Sequence, residues 1–186
     1  GQVIAGFSKK GVAYIGVTRD DKAAGAARED GFIAGLKNAG ITLLEENKRT
    51  SAFTLESGYE AALDLLESKC DIDVISCATD TIAAGAIEAI QTYLKKQVPA
   101  NAADAGARMR YILENTSIRV TGFGDNQMLK AVTGGIPTIH FGYKTSGIRG
   151  AELLLDSIER GEQLPIEMKL GFRLVGADPS DSENLT

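Results

Sequence analysis

The chain has 186 residues, with 20 lysines and arginines against 25 aspartates and glutamates, for a formal net charge of −5. That length holds one good-sized core, or one complete domain and part of a second, and excludes a large multidomain enzyme. The acidic balance argues against a nucleic-acid-binding surface on the chain itself, and no apolar run approaches the ~20 residues that span a membrane.

Gly1–Ser8 is too short and lacks the basic start of a secretory leader, so the expected location is the cytosol. Two cysteines, Cys70 and Cys77, form neither a disulfide framework nor a C-x-x-C motif.

Short β-branched runs alternate with longer helical stretches. Val12–Val17 reads as a buried strand and Asp21–Asn38 as a helix, stopped by Gly40. A weaker extended stretch, from Ile41–Glu45 on toward Phe53, leads to a helix over Ser57–Ser68 whose Tyr59, Ala62, Leu63 and Leu66 keep helical spacing. Ile72–Ala78 is a third strand, and Asp80 is placed to cap the helix after it, with Ala83, Ile87, Ile90 and Leu94 as the buried stripe. Ile118–Phe123 and Ile136–Phe141 are further strands, and Ser146–Arg160 a helix with Ile148, Ala151, Leu155 and Ile158 in line. Strands that are continuous apolar runs separated by helices imply a doubly wound parallel α/β sheet. Outside this rhythm lie Gln97–Ser117, with a short helix expected around Ala105–Leu113, and Gly176–Thr186, a polar tail expected to be disordered.

Ligands of an open parallel sheet bind beyond the carboxyl ends of its strands. The residues there are Asp20, Asp21 and Arg28, then Phe53, then Thr79 and Asp80, then Gly124, Asp125 and Asn126, then His140 and Tyr143. Arg28 shares a helix face with Phe32 and Leu36, which directs its guanidinium to the rim of the sheet. Carboxylates, hydroxyls, an arginine and flat rings suit a polyhydroxylated ligand, whose hydroxyls need paired partners while its C–H face packs on an aromatic. Simpler roles compete. Asp80 reads first as a helix cap, Cys77 as a small buried hydrophobe, His140 as a locally bonded side chain, and Asp71 and Asp73 as solvated. G-x-S-x-G, H-E-x-x-H and phosphate-loop motifs are absent, and Gly122-Phe123-Gly124 lacks the third glycine of a dinucleotide fingerprint because Gln127 stands there. A binding module with no cofactor and no metal is favoured over an enzyme.

The segments SKKGVAYIGV, Arg28-x-x-Gly31-Phe32, SGYEAALDLL, CATDTIAAGAIEAI, IRVTGFGDNQ and PTIHFGY occur in an order that resembles the effector-binding core of the lactose/galactose repressor family. The resemblance runs from about Phe7 to Val175. CATDT, the Asp21-x-x-x-Gly25-x-x-Arg28 stretch and the F-G-Y turn look most like repressors of sucrose and trehalose operons. It implies a periplasmic-binding-protein-like fold and a ligand set of Asp21, Arg28, Phe53, Thr79, Asp125 and Tyr143. In that set Arg28 hydrogen-bonds the effector, Phe53 stacks near it, Thr79 stands where relatives carry asparagine or aspartate, and Tyr143 lies in the crossover. Gly124 stands where many relatives have a ligand-binding aspartate, so whether Asp125 replaces it is left open.

The resemblance further implies a cytoplasmic, dimeric regulator. It senses a small carbohydrate, such as a disaccharide or its phosphate, and reads operator DNA through a helix-turn-helix headpiece that this stretch does not contain. Gly1–Lys10 would be the end of the helix that starts the C-terminal subdomain, residues 1–139 that subdomain, and 140–175 a crossover, helix and strand belonging with the other lobe. The helix Ser146–Arg160 would then expose Ile148, Leu155 and Ile158. Two alternatives remain: a periplasmic-type sugar-binding protein for transport, and a flavodoxin-like sugar-processing enzyme using Asp21 or Asp125 as acid/base.

Overall fold

A computed structural model describes residues 1–94, 105–161 and 166–176. Its main sheet has four parallel strands in the order β2-β1-β3-β4, formed by β1 (Val12–Gly16), β2 (Lys48–Thr50), β3 (Val74–Cys77) and β4 (Arg119–Thr121). Every residue of β1 and β3 is buried, the signature of strands covered on both faces. Helix α1 (Gln2–Phe7) packs on α2 (Arg28–Asn38), while α3 (Leu55–Glu67) packs on α4 (Asp80–Leu94), which in turn meets α5 (Ala105–Asn115) and α6 (Gln127–Thr133). The core is aliphatic, with Ile15, Leu36, Leu65, Ile75, Ile82, Ile87 and Ile90 fully buried. At the α3–α4 contact the backbones touch, because a Cβ on Gly85 would fall 2.2 Å from the Leu55 carbonyl oxygen.

The first and third strands and the helices after them lie where the apolar runs place them. Of the extended stretch expected from Ile41 on toward Phe53, only the later part is strand. Glu45–Asn47 is a 3₁₀ turn and β2 begins only at Lys48, because its charged residues find partners that let them join the edge of the sheet. The Lys48 ammonium reaches the buried Glu29 carboxylate at 2.6 Å, and the Arg49 guanidinium pairs with Asp64.

The helix expected from Asp21 opens as a π-helical turn, Lys22–Ala27, before α2 proper. The expected solvation of Asp73 is also overturned: its carboxylate accepts from the Ser8 hydroxyl (2.7 Å) and from the N–H groups of Lys9 (2.7 Å) and Lys10 (3.2 Å), pinning the α1–β1 turn to β3. Burial pushes against this carboxylate's charge, but those donors outweigh it and hold the group below its ordinary value.

The fifth strand departs from an all-parallel sheet. β5 (Thr138–Phe141) meets the end of β4 through two donations, Gly122 N–H to Pro137 and Gly124 N–H to Ile139. Its other edge pairs antiparallel with β6 (Phe172–Val175). Between β4 and β5 sits α6, a seven-residue helix that no apolar period announced, capped by the Asn126 side chain.

α7 (Tyr143–Arg160) carries no buried residue and exposes Ile148, Leu155 and Ile158, as the resemblance implies. The expected short helix Ala105–Leu113 is α5; residues 97–104 of the proposed insert and 177–186 of the proposed tail lie outside the described residues.

Candidate functional site

The carboxyl ends of β1, β3, β4 and β5 converge around Arg28. Burial, the largest influence, pulls this guanidinium below its ordinary value, although Tyr143, Tyr14, Asp21 and Asp80 nearby all favour the charge. It donates one hydrogen bond, to the Ala78 carbonyl at 2.6 Å, and lies 4.0 Å above the centroid of the Phe123 ring. It forms no ion pair among the described residues. Tyr143 approaches from the start of α7, donating to the Gly124 carbonyl (3.3 Å) and meeting the Phe141 ring edge-on at 5.7 Å.

Asp21 is bound up in the backbone. Its carboxylate accepts from Ala24 N–H (2.7 Å) and Ala23 N–H (3.0 Å) and so starts the π-helical turn, which holds it below the ordinary carboxylate value. Thr79 does what the sequence assigned to its neighbour: its hydroxyl accepts from Ile82 N–H and caps α4. Asp80 is therefore not the cap. Its buried carboxylate accepts from the Thr138 hydroxyl (2.7 Å) and Asn126 N–H (2.5 Å), and its own N–H donates to the Phe123 carbonyl (3.2 Å). Gly122 lies against this carboxylate, where a Cβ would fall 2.0 Å from Oδ1.

Asp125 stands in a left-handed conformation (φ 52°), a strain Asp tolerates, and its carboxylate pairs with His140 Nδ1 at 2.7 Å. Thus the lone histidine bonds locally, as expected. Cys77 is buried, and burial pushes its thiol well above the ordinary value.

A cavity of about 620 Å³ runs under the start of α2 across the sheet to β5 and β6. Arg28, Phe123 and Phe141 line it, and Tyr14 closes it from below. Of the six residues named from sequence, Arg28 alone lines this cavity, with Tyr143 and Asp21 close enough to Arg28 to favour its charge. Phe53 is half exposed, while Thr79 and Asp125 are engaged as described; none of these three lines the cavity. Phe123 and Tyr14 were missed because each reads as one more apolar position in a strand run.

The family model described as periplasmic binding proteins and sugar binding domain of the LacI family matches residues 3–169. The chain belongs to this family. Among curated relatives of this LacI-family chain, the HTH-type transcriptional repressor PurR of Yersinia enterocolitica is 28% identical over 151 residues, which are 81% of this chain and 39% of the relative. Among solved structures, the transcriptional regulator CelR in complex with cellobiose superposes with a TM-score of 0.71 at 22% identity, covering 88% of this chain and 45% of that one. The trehalose repressor from Escherichia coli gives a TM-score of 0.63 at 20% identity, covering 88% and 54%. The chain thus spans about two-fifths of the curated relative and about half of the solved structures. These likenesses establish the periplasmic-binding-protein-like fold of the LacI-type effector-binding core and leave the finer sucrose or trehalose resemblance as a reading from motifs.

Proposed function

We propose that this chain is the sensing part of a LacI-family transcriptional repressor and binds a small carbohydrate, such as a disaccharide or its phosphate, at the carboxyl ends of β1, β3, β4 and β5. The observation that carries this is Arg28: a half-buried guanidinium stacked on Phe123, with one backbone partner and no ion pair among the described residues. Fold neighbours point the same way, since CelR is complexed with cellobiose and a LacI-family sugar-binding regulator from Escherichia coli with phosphate.

In this reading Arg28 and Tyr143 contact the ligand directly, with Phe53 and Thr79 at the rim and Asp21 and Asp125 holding the surrounding loops. Residues 1–139 form one lobe, and 140–175 cross to and return from the other. The full protein is a cytoplasmic homodimer that contacts operator DNA through a helix-turn-helix headpiece. Ligand binding biases the relative orientation of the lobes, with a coupling of ~1–3 kcal/mol. No enzymatic step is assigned, and no group of His, Cys, Asp and Glu among the described residues is arranged to hold a metal.

Titration calorimetry of the chain with disaccharides and their phosphates tests the proposal. Binding is expected, weakly because one lobe dominates the chain, and Arg28→Ala is expected to abolish it with the thermal midpoint unchanged. Unaltered binding by Arg28→Ala refutes the assignment of the site.

A further inference from the structure

One ion pair ties the loop between β4 and α6 to the strand that enters the crossover. The Asp125 side chain is 7% exposed, and its carboxylate meets His140 Nδ1 at 2.7 Å. The histidine side chain is 33% exposed, so water can deliver and remove its proton while the carboxylate stays inside. Asp125 also stands in the left-handed region, which a residue with a side chain adopts at a cost, so the bonds around it must hold it there. Its N–H donates to Thr138 Oγ1 at 3.3 Å, and that hydroxyl in turn donates to Asp80.

The charges around the pair leave His140 with a task that no neighbour shares. Asp80, a second buried carboxylate, lines the same cavity of about 40 Å³ as Asp125, and among the described residues His140 is the one cation paired with either of them. Three other cations stand on the elements packed around the pair: Lys130 of α6, which lines that cavity, Arg173 of β6, the cross-strand partner of His140, and Lys144 at the start of α7. All three are exposed, where water and salt screen them. Arg28 of α2 is near enough to Asp80 to feel its charge but is engaged with Ala78 and Phe123. Tyr143 meets the imidazole edge-on at 6.5 Å. A neutral imidazole can still donate one hydrogen bond to Asp125, but it leaves two uncompensated carboxylates around one small cavity.

What the pair holds extends beyond the two residues. Gly122 and Gly124 bond the same loop to β5 through their N–H groups, and the Gly124 carbonyl accepts from the Tyr143 hydroxyl. Asn126, next to Asp125, caps α6. A change of charge at His140 therefore acts on the loop, on β5 and on the first residue of α7 together.

We propose that the His140–Asp125 pair is a proton-operated latch between the β4–α6 loop and the crossover. With His140 protonated the loop is clamped to β5 and Tyr143 is held on Gly124; without the proton the loop is released. An ion pair exists only while the ring is charged, so the clamp is present on the acid side and is lost as pH rises through the histidine's titration. Histidine changes charge between about pH 5 and 8, a range in which carboxylates such as Asp125 ordinarily stay ionised. The latch does not depend on which ligand the chain binds.

His140 is the only histidine in the chain, so its ring signals in a proton–carbon spectrum need no assignment by mutation. The test follows that ring and the backbone amides of the chain by NMR from about pH 5 to about 8.5, with Asp125→Asn and His140→Gln beside the parent. In the parent, the amide signals of Gly122, Gly124 and Asp125 are expected to move along the same curve as the ring. Hydrogen-exchange protection of the Gly124 amide, corrected for the intrinsic rise of exchange with pH, is expected to fall several-fold across that curve. In Asp125→Asn the ring still titrates and the loop amides no longer follow it. In His140→Gln the Gly124 amide is expected to show the low protection of the parent's alkaline side at every pH.

The parent chain alone can overturn the proposal: a ring that keeps one charge state over this range, or a ring that titrates while the loop amides and the protection of Gly124 stay fixed, means that the pair is a static contact. Loop amides that keep the parent's pH course in either variant assign the change to another group and overturn it as well.

Discussion

The Asp80 carboxylate is the single buried group whose removal has the widest predicted consequence. It accepts one hydrogen bond from Thr138 on β5 and one from Asn126 ahead of α6, 58 and 46 residues away, at 4% exposure. Hydrogen bonds to a charged partner contribute about 1.5–3 kcal/mol each, so Asp80→Ala, which strands the buried Thr138 hydroxyl and frees a part-buried N–H that water can reach, is expected to cost about 2–4 kcal/mol. That is a large share of the ~5–15 kcal/mol by which domains are stable. Asp80→Asn keeps an acceptor for the Asn126 N–H and turns its amide toward Thr138 Oγ1, which can accept, so it is expected to cost only about 1 kcal/mol.

Gly122 sharpens the test. Its added methyl would fall 2.0 Å from Asp80 Oδ1, so Gly122→Ala alone is expected to cost about 1–3 kcal/mol by overpacking. In Asp80→Ala/Gly122→Ala the obstacle is gone, and the double variant is expected to be more stable than the sum of the singles predicts. Urea unfolding followed by circular dichroism reads all four chains. Strict additivity, or an Asp80→Ala cost below 1 kcal/mol, refutes the reasoning.

Three further outcomes follow from the structure. Iodoacetamide under native conditions is expected to label Cys70, which is partly exposed, and to spare Cys77 until urea opens the core, as counted by intact mass. Gly85→Ala drives a methyl into the Leu55 carbonyl and Tyr59 N–H across the α3–α4 contact, and is expected to lower stability by at least ~2 kcal/mol in urea melts. Asp21 has a folded-state pKa below its ordinary 3.8, so its stabilisation is present above that value and is lost as pH falls through the lower folded one. The deficit of Asp21→Ala in thermal midpoint is accordingly expected to be full at pH 7 and to shrink below about pH 4; a deficit independent of pH refutes the role of its charge.

Legibility in the sequence followed the range of the interactions involved. β1 and β3 announce themselves because both faces are covered and nearly every residue is apolar. β2 falls inside the extended stretch expected toward Phe53, but its bounds were not legible, because an edge strand can carry Lys48 and Arg49 when Glu29 and Asp64 neutralise them, and those partners lie 19 residues before and 15 residues after in sequence. A seven-residue helix such as α6 is shorter than two turns of apolar period, so its one local sign was the Asn126 cap. Arg28 was found because its helical spacing from Phe32 and Leu36 points it at the sheet's rim. The division of labour between Thr79 and Asp80 was not visible, since either residue can cap a helix and only the arrival of Thr138 from β5 assigns them.

The same few residues connect the candidate ligand site with the crossover. Ala78 gives its carbonyl to Arg28, Thr79 caps α4, and Asp80 fixes Thr138 in β5, the strand that runs directly into α7 through Tyr143. These are consecutive positions just after β3, so a shift of Arg28 toward an incoming ligand would loosen or strengthen its bond to a backbone that also positions β5. Tyr143 closes the circuit by donating to Gly124, whose own N–H is bound to Ile139 of β5. A ligand that engages Arg28 and Tyr143 therefore acts on both ends of one hydrogen-bonded frame. Differential contacts of that kind are what any ligand needs in order to favour one arrangement of the crossover over another.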